Sequence, residues 1–148
     1  MIVPDSNLLL YAYDSTSPFH ERARRWWEAC LSGSEIVGLT HPVIFAFVRI
    51  ATNPRAFDRP LTLAQASEHV AAWLSRNVTR VQQPDNNHVD QVLGLLREIQ
   101  AAGANLVTDA QVAAFALAHK ATVHTADRDF LRFPGLHCAY PLDESLRK

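Results

Sequence analysis

The sequence predicts an α/β fold organised on a mainly parallel sheet with helices on both faces. Short apolar runs of strand length alternate along the chain with longer stretches of helical period, the pattern of parallel strands joined by crossover helices. Three of those runs open directly onto an acid: Ile2-Val3-Pro4-Asp5, Asn105-Leu106-Val107-Thr108-Asp109 and Ala121-Thr122-Val123-His124-Thr125-Ala126-Asp127. Ligands and catalytic groups gather where parallel strands end, so this pattern places Asp5, Asp109 and Asp127 at a sheet rim. With 148 residues, 48% hydrophobic and 20% charged, the chain has the size and composition of one soluble globular domain, residues 1–148.

The first strand delivers Asp5 and Asn7 to a helix over Leu8 to Tyr13. Ser17-Pro18 starts the next helix and Gly33 stops it, since proline is favoured just inside a helix start and glycine just past its end. Phe19, Ala23, Trp26, Trp27 and Cys30 recur at helical spacing as its buried face, opposite Glu21, Arg22, Arg24 and Arg25. Glu35 to Leu39 reads as a strand. Thr40-His41-Pro42 opens a helix from Val43 to Ala51, closed by Asn53-Pro54 because proline cannot continue it and restricts the residue before it. Thr62 and Gln65 have capping-box spacing, and Leu63, Ala66, Val70 and Trp73 form the apolar stripe of the helix they start. Val78 to Val81 reads as a strand. Val89, Val92, Leu93, Leu96 and Ile99 mark a helix ending near Gly103. Asp109 to His119 is apolar on all sides over Val112 to Ala118, the mark of a central helix. Short strands follow at Val123 and, after Pro134-Gly135, at Leu136 to Ala139.

A net charge of −1 supplies no global attraction for nucleic acid, so such a partner would be held by local arginines or bound cations. No apolar stretch approaches the roughly 20 residues of a membrane span. The start lacks the charge and apolar length of a signal peptide, and two cysteines, Cys30 and Cys138, make no disulfide framework. Together these predict a cytoplasmic protein. The seven histidines lack zinc-binding spacing. Trp26, Trp27 and Trp73 fall on apolar helix faces and read as core, and Cys138 reads as a buried, inert thiol. A glycine-rich phosphate loop and a Gly-x-Ser-x-Gly elbow are both missing from the sequence, against nucleotide-binding and serine-hydrolase classes.

Each acid has a structural reading beside a chemical one. Asp109 suits a helix N-cap, and Asp127 and Asp129 suit turns, where aspartate bonds the backbone ahead of it. Asp5 follows a buried strand, where an uncompensated carboxylate is costly. If Asp5, Asp109 and Asp127 converge, their repulsion raises at least one pKa unless a cation neutralises them. Carboxylate oxygens suit Mg²⁺ or Mn²⁺, which keep several waters and leave room for phosphate oxygens.

Four stretches together carry a family resemblance. They are Ile2, Val3, Asp5 and Asn7; Phe47-Val48-Arg49-Ile50-Ala51-Thr52-Asn53-Pro54-Arg55; Thr108-Asp109-Ala110 leading into an alanine-rich helix; and Thr125-Ala126-Asp127-Arg128-Asp129-Phe130 followed by Phe133-Pro134-Gly135-Leu136. In this order, over nearly the whole length, the chain resembles PIN-domain ribonucleases, specifically the VapC toxins of type II toxin–antitoxin pairs. The resemblance implies a three-layer α/β/α sandwich. It implies that Asp5, Asp109 and Asp127 hold Mg²⁺ or Mn²⁺, with Asn7, Thr125 and Asp129 orienting ligands or water. The implied reaction is endonucleolytic, metal-assisted hydrolysis of RNA to a 3′-hydroxyl and a 5′-phosphate. Asp127 or Asp129 is expected to take the water's proton. Arg49, Arg55, Arg128 and Arg132 are candidates to position phosphate, though each also suits a solvated surface charge. VapC proteins commonly carry a glutamate three residues before the arginine that matches Arg49; here Ala46 stands there, and Asp129 or Asp58 is a candidate replacement.

The partners implied are an RNA substrate, a small VapB-like antitoxin and a second copy in a homodimer, with no membrane. An apolar groove between the helix of Phe19 to Cys30 and that of Val43 to Ile50 is the expected antitoxin surface. Two other functions fit less well. A phosphatase of the haloacid dehalogenase type needs a second acid where Asn7 stands. A degenerate PIN module that binds RNA or an antitoxin without cleavage is favoured by Ala46 and opposed by the persistence of the three acids.

Overall fold

The computed structural model describes residues 1–101 and 103–143. Five strands, β1 (Ile2–Pro4), β2 (Val37–Thr40), β3 (Thr79–Gln82), β4 (Thr122–His124) and β5 (His137–Ala139), form a sheet in the order β3-β2-β1-β4-β5. Every pairing is parallel, with Ile2 opposite both Val37 and Thr122, Thr40 opposite Gln82, and His124 opposite Ala139. Parallel neighbours need crossover connections. These are supplied by α1 (Ser6–Tyr13), α2 (His20–Ser32), α3 (His41–Ala51), α4 (Leu63–Leu74), α5 (His88–Glu98) and α6 (Asn105–His119), and by a 3₁₀ turn at Arg128–Arg132 before β5. This is the three-layer α/β/α sandwich that the family resemblance implies. β1 and β2 are buried at every position, as strands covered on both faces must be.

The strand order has one reversal. From β1 the chain steps outward to β2 and β3, then returns to the other side of β1 for β4 and β5. Crevices at the carboxyl ends of such strands, where the order reverses, are where open α/β sheets bind ligands. Here that point lies between the ends of β1 and β4, beside Asp5 and Thr125.

An aromatic cluster locks four helices together. Trp73 of α4 is 1% exposed and meets Phe47 of α3 edge-on at 4.7 Å and Trp27 of α2 at 5.5 Å. Its Nε1 donates to the Tyr13 hydroxyl at the end of α1, 2.7 Å away. The start of α4 is held by the expected capping box, in which Thr62 and Gln65 each accept from the other's backbone N–H.

Several expectations need correcting. Asn105 to Asp109 is the first part of α6 and not a strand. Leu106, Ala110 and Ala113 are buried while Val107 is 41% exposed, so the helical period of the apolar run extends backward through this segment. Asp109 is therefore inside the helix and is not its N-cap. The preceding helix ends at Glu98, short of Gly103, because Gln100 takes the left-handed conformation (φ 53°) and Ala101 N–H bonds back to the Leu96 carbonyl. Leu63 and Val89 are each 66% exposed and Leu93 is 49% exposed, so these apolar stripes are narrower than predicted. The second helix starts at His20, after Ser17 and Pro18. Cys138 is only half-buried, whereas Cys30 is buried and its thiol is pushed up to about 12, first by burial and then by Glu35.

Replacing Trp73 with alanine empties the centre of the aromatic cluster and strips the Tyr13 hydroxyl of its donor. The expected loss is ~3–5 kcal/mol of unfolding free energy, measured by urea denaturation. Tyr13→Phe, which leaves only the indole N–H without its acceptor, should cost about 1–3 kcal/mol.

Candidate functional site

The site grows from the ends of β1 and β4. Asp5 N–H donates to the His124 carbonyl at 2.8 Å, which carries the parallel pairing one residue beyond β1 and fixes where the Asp5 side chain leaves the sheet. Asp5 is 5% exposed. Its Oδ2 accepts from the fully buried Thr125 hydroxyl at 2.8 Å, and its Oδ1 lies 3.5 Å from the Ser6 hydroxyl. Thr125 Oγ1 in turn accepts from Asp127 N–H at 2.9 Å, and Asp127 Oδ1 accepts from Asp129 N–H at 2.8 Å to start the 3₁₀ turn. One chain of hydrogen bonds thus runs from Asp5 through Thr125 to Asp127 and Asp129.

Asp109 joins this group from α6. Its carboxyl is pushed up to about 7, first by burial and then by the charges of Asp5, Asp127 and Asp129. Burial is also the largest influence on Asp5 and raises it; the Thr125 and Ser6 hydrogen bonds oppose that, and the Asp127 charge adds to it. Four acids from three separate stretches therefore share one field. Of the two candidate replacements, Asp129 is among the charges that raise Asp109. The turn-forming role of Asp127 is real, since it caps the 3₁₀ turn, and it coexists with its place among the acids.

The other predicted residues fall as follows. Asn7 is half-buried in the first turn of α1. Ala46 is buried, and Arg49 is exposed in the last turn of α3. Arg55 is exposed in the turn after Asn53. Arg128 pairs with Asp143 and lies 3.8 Å over the Tyr140 ring, and Arg132 bonds the Ile99 carbonyl at 3.3 Å. Among the described residues no three carboxylate, imidazole or thiolate side chains close on one point at metal-ligand spacing.

Beside the acids lies a cleft of about 620 Å³ between α3 and α6, roofed by the start of α5. Ala46, Arg49 and Thr108 line it, next to Asp109. Between α2 and α3, where the antitoxin groove is expected, α1 packs against both helices. The sequence marks Thr40 and His41 as a helix start and Phe45 as part of the helix that follows. The overlooked signal is that Val43-Ile44-Phe45-Ala46-Phe47-Val48 holds more apolar residues than one buried face needs, and Phe45 is 66% exposed.

The PIN domain family model matches residues 2–136. A relative named Ribonuclease VapC33 from Mycobacterium tuberculosis is 42% identical over 144 residues, covering 97% of this chain and all of its own length. Among solved structures, VapC20 of Mycobacterium tuberculosis, a toxin that cleaves the sarcin-ricin loop, aligns with a TM-score of 0.68 at 19% identity over 93% of this chain and 99% of its own. VapBC2 from Rickettsia felis, solved with a DNA fragment from their promoter, aligns at 0.67 and 17% over 94% and 98%. No described helix is long and apolar enough to cross a membrane.

The Asp109 carboxyl makes stability depend on pH with a definite sign. Its folded value, about 7, lies above the 3.8 of a freely solvated aspartate, so between those limits the native state holds a proton that the unfolded chain releases. In EDTA, stability should therefore rise as pH falls from 8 towards 5. Asp109→Asn should flatten that slope and stabilise the chain at pH 8 by about 1–2 kcal/mol, a figure discounted for partial solvent screening. Thermal melts of both proteins across that range measure it.

Proposed function

This chain belongs to the PIN-domain family, and from that premise we propose that it is a divalent-metal-dependent endoribonuclease, the toxin of a toxin–antitoxin pair. The observation that carries the reading is the hydrogen-bonded chain from Asp5 through Thr125 to Asp127 and Asp129, beside an Asp109 carboxyl raised by burial and by those three acids, a cost that a cation would relieve. A 42% identical ribonuclease that spans nearly the whole chain supports RNA as the substrate class.

Asp5, Asp109 and Asp127 would hold Mg²⁺ or Mn²⁺. An oxygen-only donor set fits such a cation, which takes one or two carboxylates directly and keeps several of its waters, so three acids need not close on a single point. When bound, the cation polarises the phosphodiester and lowers the pKa of the attacking water.

The chain's own groups supply the rest. Thr125 holds the Asp5 carboxylate in one orientation, and Asn7, two residues on in the first turn of α1, would orient a ligand or water. Asp129 is exposed and takes the proton of the attacking water, while its backbone N–H keeps Asp127 in place. Arg49 offsets phosphate charge from the cleft side; Arg128 is less available because Asp143 and Tyr140 already engage it. Water oxygen attacks phosphorus and the bond to the 3′-oxygen breaks, leaving a 3′-hydroxyl and a 5′-phosphate. A VapB-like antitoxin covering the acids and a homodimeric assembly complete the reading.

Incubation of a mixed RNA pool with Mg²⁺ or Mn²⁺, beside EDTA, tests it. Metal-dependent cleavage should vanish in EDTA and in Asp5→Asn, while Thr125→Val should lower it by about 10–100-fold, the usual effect of losing a group that orients a ligand. Metal titration of Asp129→Asn reports on the fourth acid: weaker binding supports Asp129 as the stand-in for the acid absent at Ala46. RNA that is bound but never cut, by any of the folded proteins in either metal, would replace the nuclease with a binding module.

A further inference from the structure

The cleft beside the acids has its own chemistry. None of the described residues that line it is acidic, although Thr108 among them directly precedes Asp109. Arg49, His41 and His88 bring basic groups to it, and Gln82 and Gln111 bring amides. At its mouth the exposed Phe45 ring pairs with the His41 ring, centroids 6.3 Å apart and tilted by 31°. On its inner wall Thr40 is 5% exposed, and its Oγ1 has no hydrogen-bond partner among the described residues.

These features suit a ligand with a flat aromatic face, polar edges and an attached anion. The volume of about 620 Å³ lies within the ~300–1,000 Å³ of small-molecule sites. Unstacked RNA bases are held by aromatic rings on their faces and by side-chain amides on their edges. An aromatic residue left two-thirds exposed beside such a cavity is poorly placed for the core and well placed for stacking. Thr108, which lines the cleft, directly precedes Asp109 in α6, so a base seated there would lie against the same helix that carries this acid.

Resting on the ribonuclease reading above, we propose that this cleft is a nucleobase subsite, in which a base of the RNA strand next to the cleaved phosphate stacks on Phe45 and is read at its edge by Gln82 and Gln111. Ala46 contributes by being small: it leaves open the space that a longer side chain on this face of α3 would occupy. The subsite makes the choice of nucleotide at the cut a property of α3, α6 and the end of β3.

Equilibrium binding of AMP, GMP, CMP and UMP to the purified chain tests this without requiring catalysis. One of the four should bind best. Phe45→Ala should weaken it about tenfold, the effect of losing one base–aromatic stack, while Phe45→Trp should restore it. Gln111→Ala should narrow the preference among the four, and should alter which nucleotide flanks the cut when RNA fragments are sequenced. Nucleotide affinity unchanged in Phe45→Ala, or no binding of any mononucleotide, would overturn the proposal. So would a dimer that Phe45→Ala dissociates without affecting nucleotide binding, since the cleft would then belong to a second copy. Nucleotides bound as expected by a protein that cuts no RNA would remove the nuclease and keep the subsite. RNA cut with the same preference by every variant would do the reverse.

Discussion

The hydrogen bond from the Thr125 hydroxyl to Asp5 is the contact on which the site's geometry depends. Asp5 is a carboxylate in a nearly closed environment, and a buried acceptor of this kind left unsatisfied costs about 1–3 kcal/mol or more. Thr125 is fully buried and spends its donor on Asp5 and its acceptor capacity on Asp127 N–H. The bond can form only because β1 and β4 are adjacent and parallel, in a register that sets Pro4 opposite His124. Pairing of two three-residue strands is thereby converted into the relative position of two acids distant in sequence.

The two sides of the crevice divide the chemistry. Towards β4 the groups are acidic and tightly bonded, and the Asp109 carboxyl is raised first by burial and then by the neighbouring acids. Towards β2 and β3 the wall is basic, aromatic and open, with Arg49, His41 and Phe45 facing the cleft. On the reading proposed above, a polyanion meeting this surface would set metal-neutralised phosphate on one side and an uncharged base with counter-charge on the other. Ala46 stands at the boundary, where a carboxylate would have extended the acidic side at the expense of the cavity.

The order of elements, the parallel sheet and most helices were legible because they rest on local rules. The capping box at Thr62 and Gln65, the stop at Asn53-Pro54 and the apolar run into β1 each act within a few residues, and each appears where the sequence places it. The misreadings arose where two periods compete. Leu106-Val107-Thr108 is β-branched and apolar enough for a strand, and only continuity with the buried face of Ala110 and Ala113 makes it helix. Leu63, Val89 and Leu93 fit a helical stripe, but burial depends on which neighbour packs there, and none covers them.

The sequence by itself determined the residue types at the strand ends, an acid after β1 and a threonine and acids after β4, because strand, turn and cap chemistry are set by near neighbours. It also determined the α/β class, since hydrophobic period is a property of the chain alone. Only the tertiary structure decided that Asp109 feels the charges of Asp5, Asp127 and Asp129, and that a cavity lies between α3 and α6. Those facts depend on through-space distances fixed by strand order and helix packing, and charge interaction and cavity shape follow such distances rather than separation along the chain.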